Sequence, residues 1–507
     1  MLNDTLFNRI WVRLVVYLVQ IPLYFIMSYV AFSFLYGKPL IYHILPTNSA
    51  VGSVVVSVFH SWVICELIFF IHYSLAKRRL EKYNQEIPDM SLEDRWDLIN
   101  QCLETIDDPI DWCTGWFREK GTLRRPHIDE ICQGNIREWL AWAFWGKSMP
   151  RVSANPLHAE QLDQLLELAF EKLGTKISGG YNARLQCIRL NLDPIRSTYR
   201  PLVLYGVVYV LTYIFDYHLM QLGFNRYEDG SREQSWRSIL LDDVESITEA
   251  MSGEMPSPGG KIVHWHRPAT AETKGPPIVF IHGIAAGLMC YNWFIKKLLK
   301  HCGEHRGLIF VEMPYVSMHI NQAIPTSHEL VDEIRKMLDI HGYDKATFMG
   351  HSLGTCVVNW VVKDIPERVA SVTLLDPVVF LLHYSDLAYN FVHRAPTSPN
   401  ERLISYFAAQ ELYTAFYIAR RFDWNDNMMF IGNQDGKAYI KRYGDDSIPL
   451  GDLKVFLSEN DNLINSQRVL HYLKARKVDC ELMPKLDHAA FLFRTDWGET
   501  ISRVHAL

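Results

Sequence analysis

The spacing of apolar positions changes along this chain, and each change marks a different kind of element. Leu14–Tyr36 is a nearly unbroken apolar run, interrupted by Gln20, Pro22 and serines. Val51–Leu75 is a second, carrying His60, Glu66 and His72. Both reach the roughly 20 residues that a helix needs to cross a bilayer. The first is too long for a secretory apolar segment and lacks a small-residue cleavage site, so it reads as retained. Arg9 and Arg13 precede it, Lys77, Arg78, Arg79 and Lys82 follow the second, and Lys38 sits in the connecting loop. This asymmetry predicts a membrane-anchoring hairpin over residues 1–81, spanning at about 14–36 and 51–75, with both ends cytosolic. Ionisable groups inside such runs are costly, and Glu66 is expected to pair with Gln20 across the hairpin as polar packing.

A polar, helix-rich region follows over 82–250. Ser91 is placed to cap a helix with Asp94 at its third position, and His158–Leu173 repeats leucines at helical period. Trp139, Trp142, Phe144 and Trp145 crowd one stretch, with two readings open: an interfacial aromatic anchor or ordinary helix packing. Pro201–Ile214 is a third apolar run, short for a span. It predicts a helix at about 201–216 lying in or against the membrane, or in the protein core. Gly253–Gly260, with its prolines and glycines, reads as a linker.

Beyond the linker, short apolar runs alternate with amphipathic stretches. Lys261–Trp265, Ile278–Ile281, Leu308–Glu312, Ala346–Met349, Ser371–Leu375, Leu453–Leu457 and Cys480–Met483 read as strands; His328–Asp339 and Leu353–Val362 read as helices. The alternation predicts an α/β domain over 251–507, a doubly wound and mostly parallel sheet with its site at the strands' carboxyl ends. Val378–Leu450, rich in aromatics, reads as a cap inserted between two strands.

The chemistry lies at strand ends. Gly350-His351-Ser352-Leu353-Gly354 directly follows a predicted strand, as in a nucleophile elbow, where a serine on a tight strand-to-helix turn needs small residues on both flanks. Asp461 follows the penultimate strand and His488 the last; Asp376 ends the strand after the serine. With these motifs in this order, the chain from about Lys261 to Leu507 resembles the α/β-hydrolase superfamily in its serine lipase and esterase branch. The resemblance implies Ser352 as nucleophile, His488 as general base and Asp461 as the acid that orients it, with Asp376 as the alternative acid. The backbone amides of Leu353 and Ile284 are the expected oxyanion donors, and losing one such donor costs about 3–4 kcal/mol of transition-state stabilisation. Gly283, His282, Gly350 and Gly354 are expected in support, His282 through bonds to nearby backbone. A serine at the elbow excludes the aspartate-nucleophile epoxide hydrolases and haloalkane dehalogenases of the same fold.

Composition narrows this reading. A net charge of −6 leaves no nucleic-acid footprint. Nine scattered cysteines argue for reduced thiols facing the cytosol. No metal-ligand spacing or Gly-rich phosphate cradle occurs, so neither metal nor cofactor is implied. The expectation is a membrane-anchored serine hydrolase of lipid-like carboxylic esters, acylglycerol- or lysophospholipid-like. Its partners would be its substrate and membrane lipids, at the endoplasmic reticulum or lipid-storage membranes. The alternatives are an acyltransferase on the same triad and a non-catalytic membrane scaffold.

Overall fold

The computed structural model describes residues 2–41, 49–83, 89–174, 176–228, 232–256, 259–260, 262–434, 437–441, 447–450 and 452–504. The hairpin connection at 42–48, Lys261, and parts of the expected linker and cap (257–258, 435–436 and 442–446) lie outside them.

Polar caps set the ends of the long N-terminal helices. In α1 (Leu6–Tyr36) the Thr5 side chain accepts the Asn8 N–H, and Gly37 closes the helix at φ 65°. In α2 (Ala50–Glu81) the Ser49 side chain accepts the Gly52 N–H. The helices meet where Phe59 packs edge-on against Tyr29 at 5.0 Å and the Tyr29 hydroxyl bonds His60 Nε2 at 2.8 Å. Elsewhere their side chains face outward: Phe34 is 87 % exposed and Val51 74 %. Only 17 % and 22 % of their most apolar stretches are buried against protein, so they are not a hairpin hidden in a soluble core. Two further helices, α3 (Gln133–Trp145) and α4 (Leu202–Gln221), belong to the following region. Among the described residues, α1, α2 and α4 are long and apolar enough to cross a membrane.

Several expectations for this half change. Glu66 does not pair with Gln20. Its carboxylate accepts from the Tyr199 hydroxyl at 2.5 Å and from the Leu202 N–H at 2.9 Å, capping the start of α4. Trp139, Trp142, Phe144 and Trp145 are all buried, which removes the interfacial-anchor reading; Trp139 meets Trp112 edge-on and stacks with Trp116. The third apolar helix runs on to Gln221, past its expected end. The Phe215 and Leu219 side chains reach a second domain's core, and Tyr209 stacks on His319 at 4.7 Å. Ser91 does cap Leu92–Thr105, and the leucine-rich helix spans Pro156–Leu173.

The sheet begins at Asn225, upstream of the boundary expected at 251. Its strands are β1 (Asn225–Glu228), β2 (Arg232–Glu233), β3 (Val263–Arg267), β4 (Ile278–Ile281), β5 (Leu308–Glu312), β6 (Ala346–His351), β7 (Val369–Leu375), β8 (Asp452–Ser458) and β9 (Asp479–Met483). Their spatial order is β9-β8-β7-β6-β4-β5-β3-β1-β2. The pairs from β9 to β5 are parallel and the remaining pairs antiparallel. Alternation along the central strands divides two cores. Ile278 and Phe280 face one layer with α5 (Asn292–Cys302). Val279 and Ile281 face the other, with α6 (Ser327–Ile340) and α7 (Gly354–Asp364). A strand buried on both faces reads as a continuous apolar run, which is why β4 through β6 were legible.

The helix-rich region and the cap share the second core: Trp112 and Trp139 sit in one apolar cluster with Val279, Phe348 and Phe416. Arg468 ties the layers together, donating to Asp107, Asp111 and Asp386 with its guanidinium 4.0 Å from the Tyr384 ring. The cap is mostly helical but ends in a small antiparallel sheet formed by Ile431–Gln434, Lys437–Lys441 and Ser447–Pro449.

This shared core makes a test of the helical layer. Trp139→Ala is expected to cost about 3–5 kcal/mol. Trp293→Ala, whose ring is 65 % exposed, should stay within about 0.5 kcal/mol in the same denaturant titration of the detergent-solubilised chain.

Candidate active site

The end of β6 and the start of α7 form a turn that only glycine can flank. A β-carbon at Gly350 would sit 2.7 Å from the Gly354 carbonyl oxygen, and one at Gly354 2.2 Å from that of Ile281 on β4. Ser352 between them has φ 52°, a left-handed conformation costing on the order of 1–3 kcal/mol for a residue with a side chain. Bonds from its neighbours hold it there: its N–H donates to Leu375 O at 3.0 Å, and the Thr355 hydroxyl donates to its carbonyl at 2.6 Å.

The turns after β8 and β9 bring the other two groups to this point. Asn460 N–H donates to Leu486 O, and Glu459 N–H to Met483 O, so the two turns are stitched together. Asp461 then has its carboxylate divided by function. Oδ1 accepts the Leu463 and Ile464 amides at 2.7 and 3.2 Å, leaving Oδ2 to accept the His488 Nδ1–H at 2.7 Å. That tautomer frees His488 Nε2 to accept the Ser352 O–H at 2.8 Å. A neutral imidazole so placed can take the hydroxyl proton as the oxygen attacks and return it to a leaving group. Burial, the largest single influence, disfavours the charged ring. The Asp461 carboxylate, through charge and hydrogen bond, and then Asp376 outweigh it, so His488 titrates above the usual 6.5.

Asp376 stands beside this relay without touching the imidazole. Its Oδ1 accepts Ser458 N–H at 2.7 Å, and its Oδ2 accepts the Ser458 hydroxyl at 3.0 Å and Ala489 N–H at 2.8 Å. The carboxylate therefore pins the ends of β8 and of the histidine turn. Burial, and after it the Asp461 charge, push its carboxyl up to about 6. Asp376, Asp461 and His488 offer ligand atoms within 4.8 Å of one another, as a metal site would. Here, however, His488 Nδ1 is directed at Asp461, and the Asp376 oxygens face backbone and hydroxyl donors.

The expected oxyanion donors flank Ser352. Leu353 and Ile284 both line the same cavity, and neither amide donates a hydrogen bond among the described residues. Gly283 makes the approach feasible, since a β-carbon there would lie 2.8 Å from Ser352 Cβ. His282 is wholly buried, accepts Met313 N–H at Nε2 (3.0 Å) and donates from Nδ1 to Gly283 O at 2.7 Å. It makes no contact with the relay and shapes the loop. Tyr291 carried no sequence motif, yet it joins these parts: its hydroxyl accepts Gly283 N–H at 2.8 Å and donates to His351 Nδ1 at 2.6 Å. Its signal was an aromatic just before the α5 helix, indistinguishable from core.

Ser352 and His488 open into a cavity of about 900 Å³. Its lining includes Val378, Leu387 and Phe391 from the cap and Trp142 and Trp145 from α3, together with charged residues such as Arg95, Arg420, Arg421 and Asp423.

Fold and site together define an α/β-type hydrolase fold carrying a hydrogen-bonded serine, histidine and aspartate. Residues 276–455 match the family described as alpha/beta hydrolase fold. A Mycobacterium phage D29 protein bearing the name non-heme haloperoxidase is 28 % identical over 116 residues, 22 % of this chain and 40 % of that protein. The serine hydrolase-like protein of Mus musculus is 25 % identical over 126 residues, 24 % of this chain and 39 % of its own length. The chain thus spans about two fifths of each of these relatives. Among solved structures, the 2-hydroxy-6-oxo-6-phenylhexa-2,4-dienoate hydrolase of Rhodococcus sp. strain RHA1 is 16 % identical with a TM-score of 0.34, covering 48 % of this chain and 93 % of the other. Naproxen esterase of Bacillus subtilis is 15 % identical with a TM-score of 0.32, covering 53 % and 98 %.

The two carboxylates give opposite expectations. Asp461→Asn should cost on the order of 10⁴-fold in the rate of serine acylation, because it favours the wrong imidazole tautomer. Asp376→Asn should leave measurable acylation. The sign of the pH effect follows from the base being neutral: the rate is full above the raised His488 pKa and is lost as pH falls through it. Removing the Asp376 charge lowers that pKa, so the acid limb of the Asp376→Asn profile should move to lower pH. An unmoved limb, or acylation abolished in Asp376→Asn and intact in Asp461→Asn, would reverse the assignment.

Proposed function

We propose that the chain is a membrane-anchored serine hydrolase that cleaves carboxylic esters of lipid-like substrates, acylglycerol- or lysophospholipid-like, through an acyl-enzyme on Ser352. The observation that carries this reading is the unbroken relay from Asp461 through His488 to Ser352, opening into a large apolar cavity. In the proposed cycle Ser352 Oγ attacks the ester carbonyl while His488 takes its proton. The negative oxygen is held by the Leu353 and Ile284 amides, and the proton passes to the departing alcohol. Water, deprotonated by the same imidazole, then releases the acid and restores the serine.

The lipid-like substrate follows from the size and chemistry of the cavity. Pockets for drug-sized ligands run to about 1,000 Å³, and this one lies at the upper end with a lining that is mostly apolar. The anchor follows from the outward apolar faces of α1 and α2. Basic residues beyond both ends of the hairpin favour a cytosolic catalytic domain.

The test is labelling by a fluorophosphonate in lipid or detergent, wild type beside Ser352→Ala. Labelling is expected of the wild type alone, and turnover of a long-chain monoacylglycerol is expected to disappear with the same substitution. A Ser352→Ala protein that labels as strongly as wild type overturns the reading. So does a folded wild type that stays unlabelled with lipid present.

A further inference from the structure

The cavity reaches the outside through a helix that is apolar enough to lie in a membrane. Leu204, Val207, Val208 and Leu211 of α4 recur at helical spacing and line the same cavity as Ser352. Val207 and Leu211 are also about half exposed, at 49 % and 47 %. Side chains that line the cavity and remain this exposed put α4 at its open side. α4 packs against the Gly287–Tyr291 turn, which follows Ile284 and carries Tyr291, so this opening lies beside the oxyanion loop.

The opposite lip comes from the cap. Leu403, Ile404, Phe407 and Ala408 line the cavity, and Ser405–Ala409 is a π-helical turn. The adjoining turn Pro399–Ile404 packs against α1, and Asn400 Oδ1 accepts Leu2 N–H at 2.9 Å. A second π-helical turn, Tyr389–His393, supplies the lining residues Phe391 and Val392. The wide, poorly bonded π turn is uncommon and recurs at functional sites. Both lips are thus attached to apolar helices, and the outer face of α4 continues the apolar surface with Val203, Val210 and Ile214 exposed.

We infer that the acyl chain of a bilayer lipid reaches Ser352 sideways, from the hydrocarbon, between α4 and the Ser405–Ala409 turn. This rests on the proposed membrane anchor and lipid-ester activity. The path explains why α4 is both docked on the catalytic core through Phe215 and Leu219 and apolar on its outer face. An acyl chain moving along it keeps apolar contact throughout and never crosses water.

The experiment compares two substrates in three variants. Val207→Trp and Leu211→Trp should each lose about tenfold or more of the turnover of monooleoylglycerol held in phosphatidylcholine vesicles, while turnover of soluble para-nitrophenyl acetate stays within about twofold. Val210→Trp, exposed on the same helix and absent from the cavity wall, should retain both. Equal losses in all three, or parallel losses of both substrates, overturn the path. A measurement on the wild type covers the case of misfolded variants. In vesicles whose phosphatidylcholine carries a photoactivatable group at the acyl-chain end, adducts are expected on 204–211 and 403–408. Prior reaction of Ser352 with a long-chain fluorophosphonate should suppress them. Adducts confined to α1 and α2, or unaffected by that reaction, overturn it. A wild type that turns over the soluble ester and not the embedded one would end the lipid-ester reading, while the adducts would still decide the path.

Discussion

Backbone crowding at the end of β6 is the constraint on which the site depends. The turn that raises Ser352 is wedged against β4 so tightly that Gly354 has no room for a β-carbon beside the Ile281 carbonyl, and Gly350 none beside Gly354 itself. This contact fixes three things at once. It forces Ser352 into a left-handed conformation with its hydroxyl away from the sheet. It starts α7 directly beneath the serine, so that the Leu353 N–H is left free at the helix start. It also brings the Gly283 loop against Ser352 Cβ, which sets the distance between the two expected oxyanion donors. The strain is affordable because the sheet around it is buried on both faces and over-determines the turn.

The charges around His488 are arranged in unequal roles. Asp461 gives one oxygen to two backbone amides and the other to the imidazole, so its hydrogen bonds fix the direction of the carboxylate. Asp376 spends both oxygens on Ser458 and Ala489, yet lies close enough for its charge to be felt by the ring. It therefore acts on the imidazole through position and field. Burial, and after it the charge of Asp461, raises the Asp376 pKa. Geometry thereby separates the orienting acid from its neighbour, which strand order alone leaves as alternatives.

The parts legible in the sequence were those carried by local pattern. Continuous apolar runs marked the doubly buried strands β4 to β6, and each relay residue sits within a few positions of a strand end, where a motif can be read. What stayed hidden depends on distant partners. Strand β1 was missed because its inward positions are Arg226 and Glu228, which satisfy one another's surroundings through Gln234 rather than by apolar burial. Glu66 was given a partner within the hairpin, but its donors come from the start of α4, reached only when the whole helical layer folds. The aromatic cluster around Trp139 looks the same in sequence whether it faces lipid or core, and only the packing of Trp112 and Trp116 decides. Tyr291 was likewise invisible, since its role arises from contacts to Gly283 and His351 across the turn.

The two long apolar N-terminal helices and the relay are joined by the cap. His72 near the end of α2 bonds the Tyr413 hydroxyl, and the Arg420 guanidinium donates to Glu81 O at the end of the same helix. Both belong to the cap helix Leu412–Arg420, and Glu411 at its start accepts the Tyr205 hydroxyl of α4. A force on α2 is therefore delivered to the cap, and through Glu411 and Tyr205 to α4, both of which line the cavity. A soluble domain tethered by a flexible linker would meet a membrane in any orientation. Here buried hydrogen bonds hold the helices to the walls of the cavity, so a bilayer that takes up the helices also fixes which side of the cavity faces it.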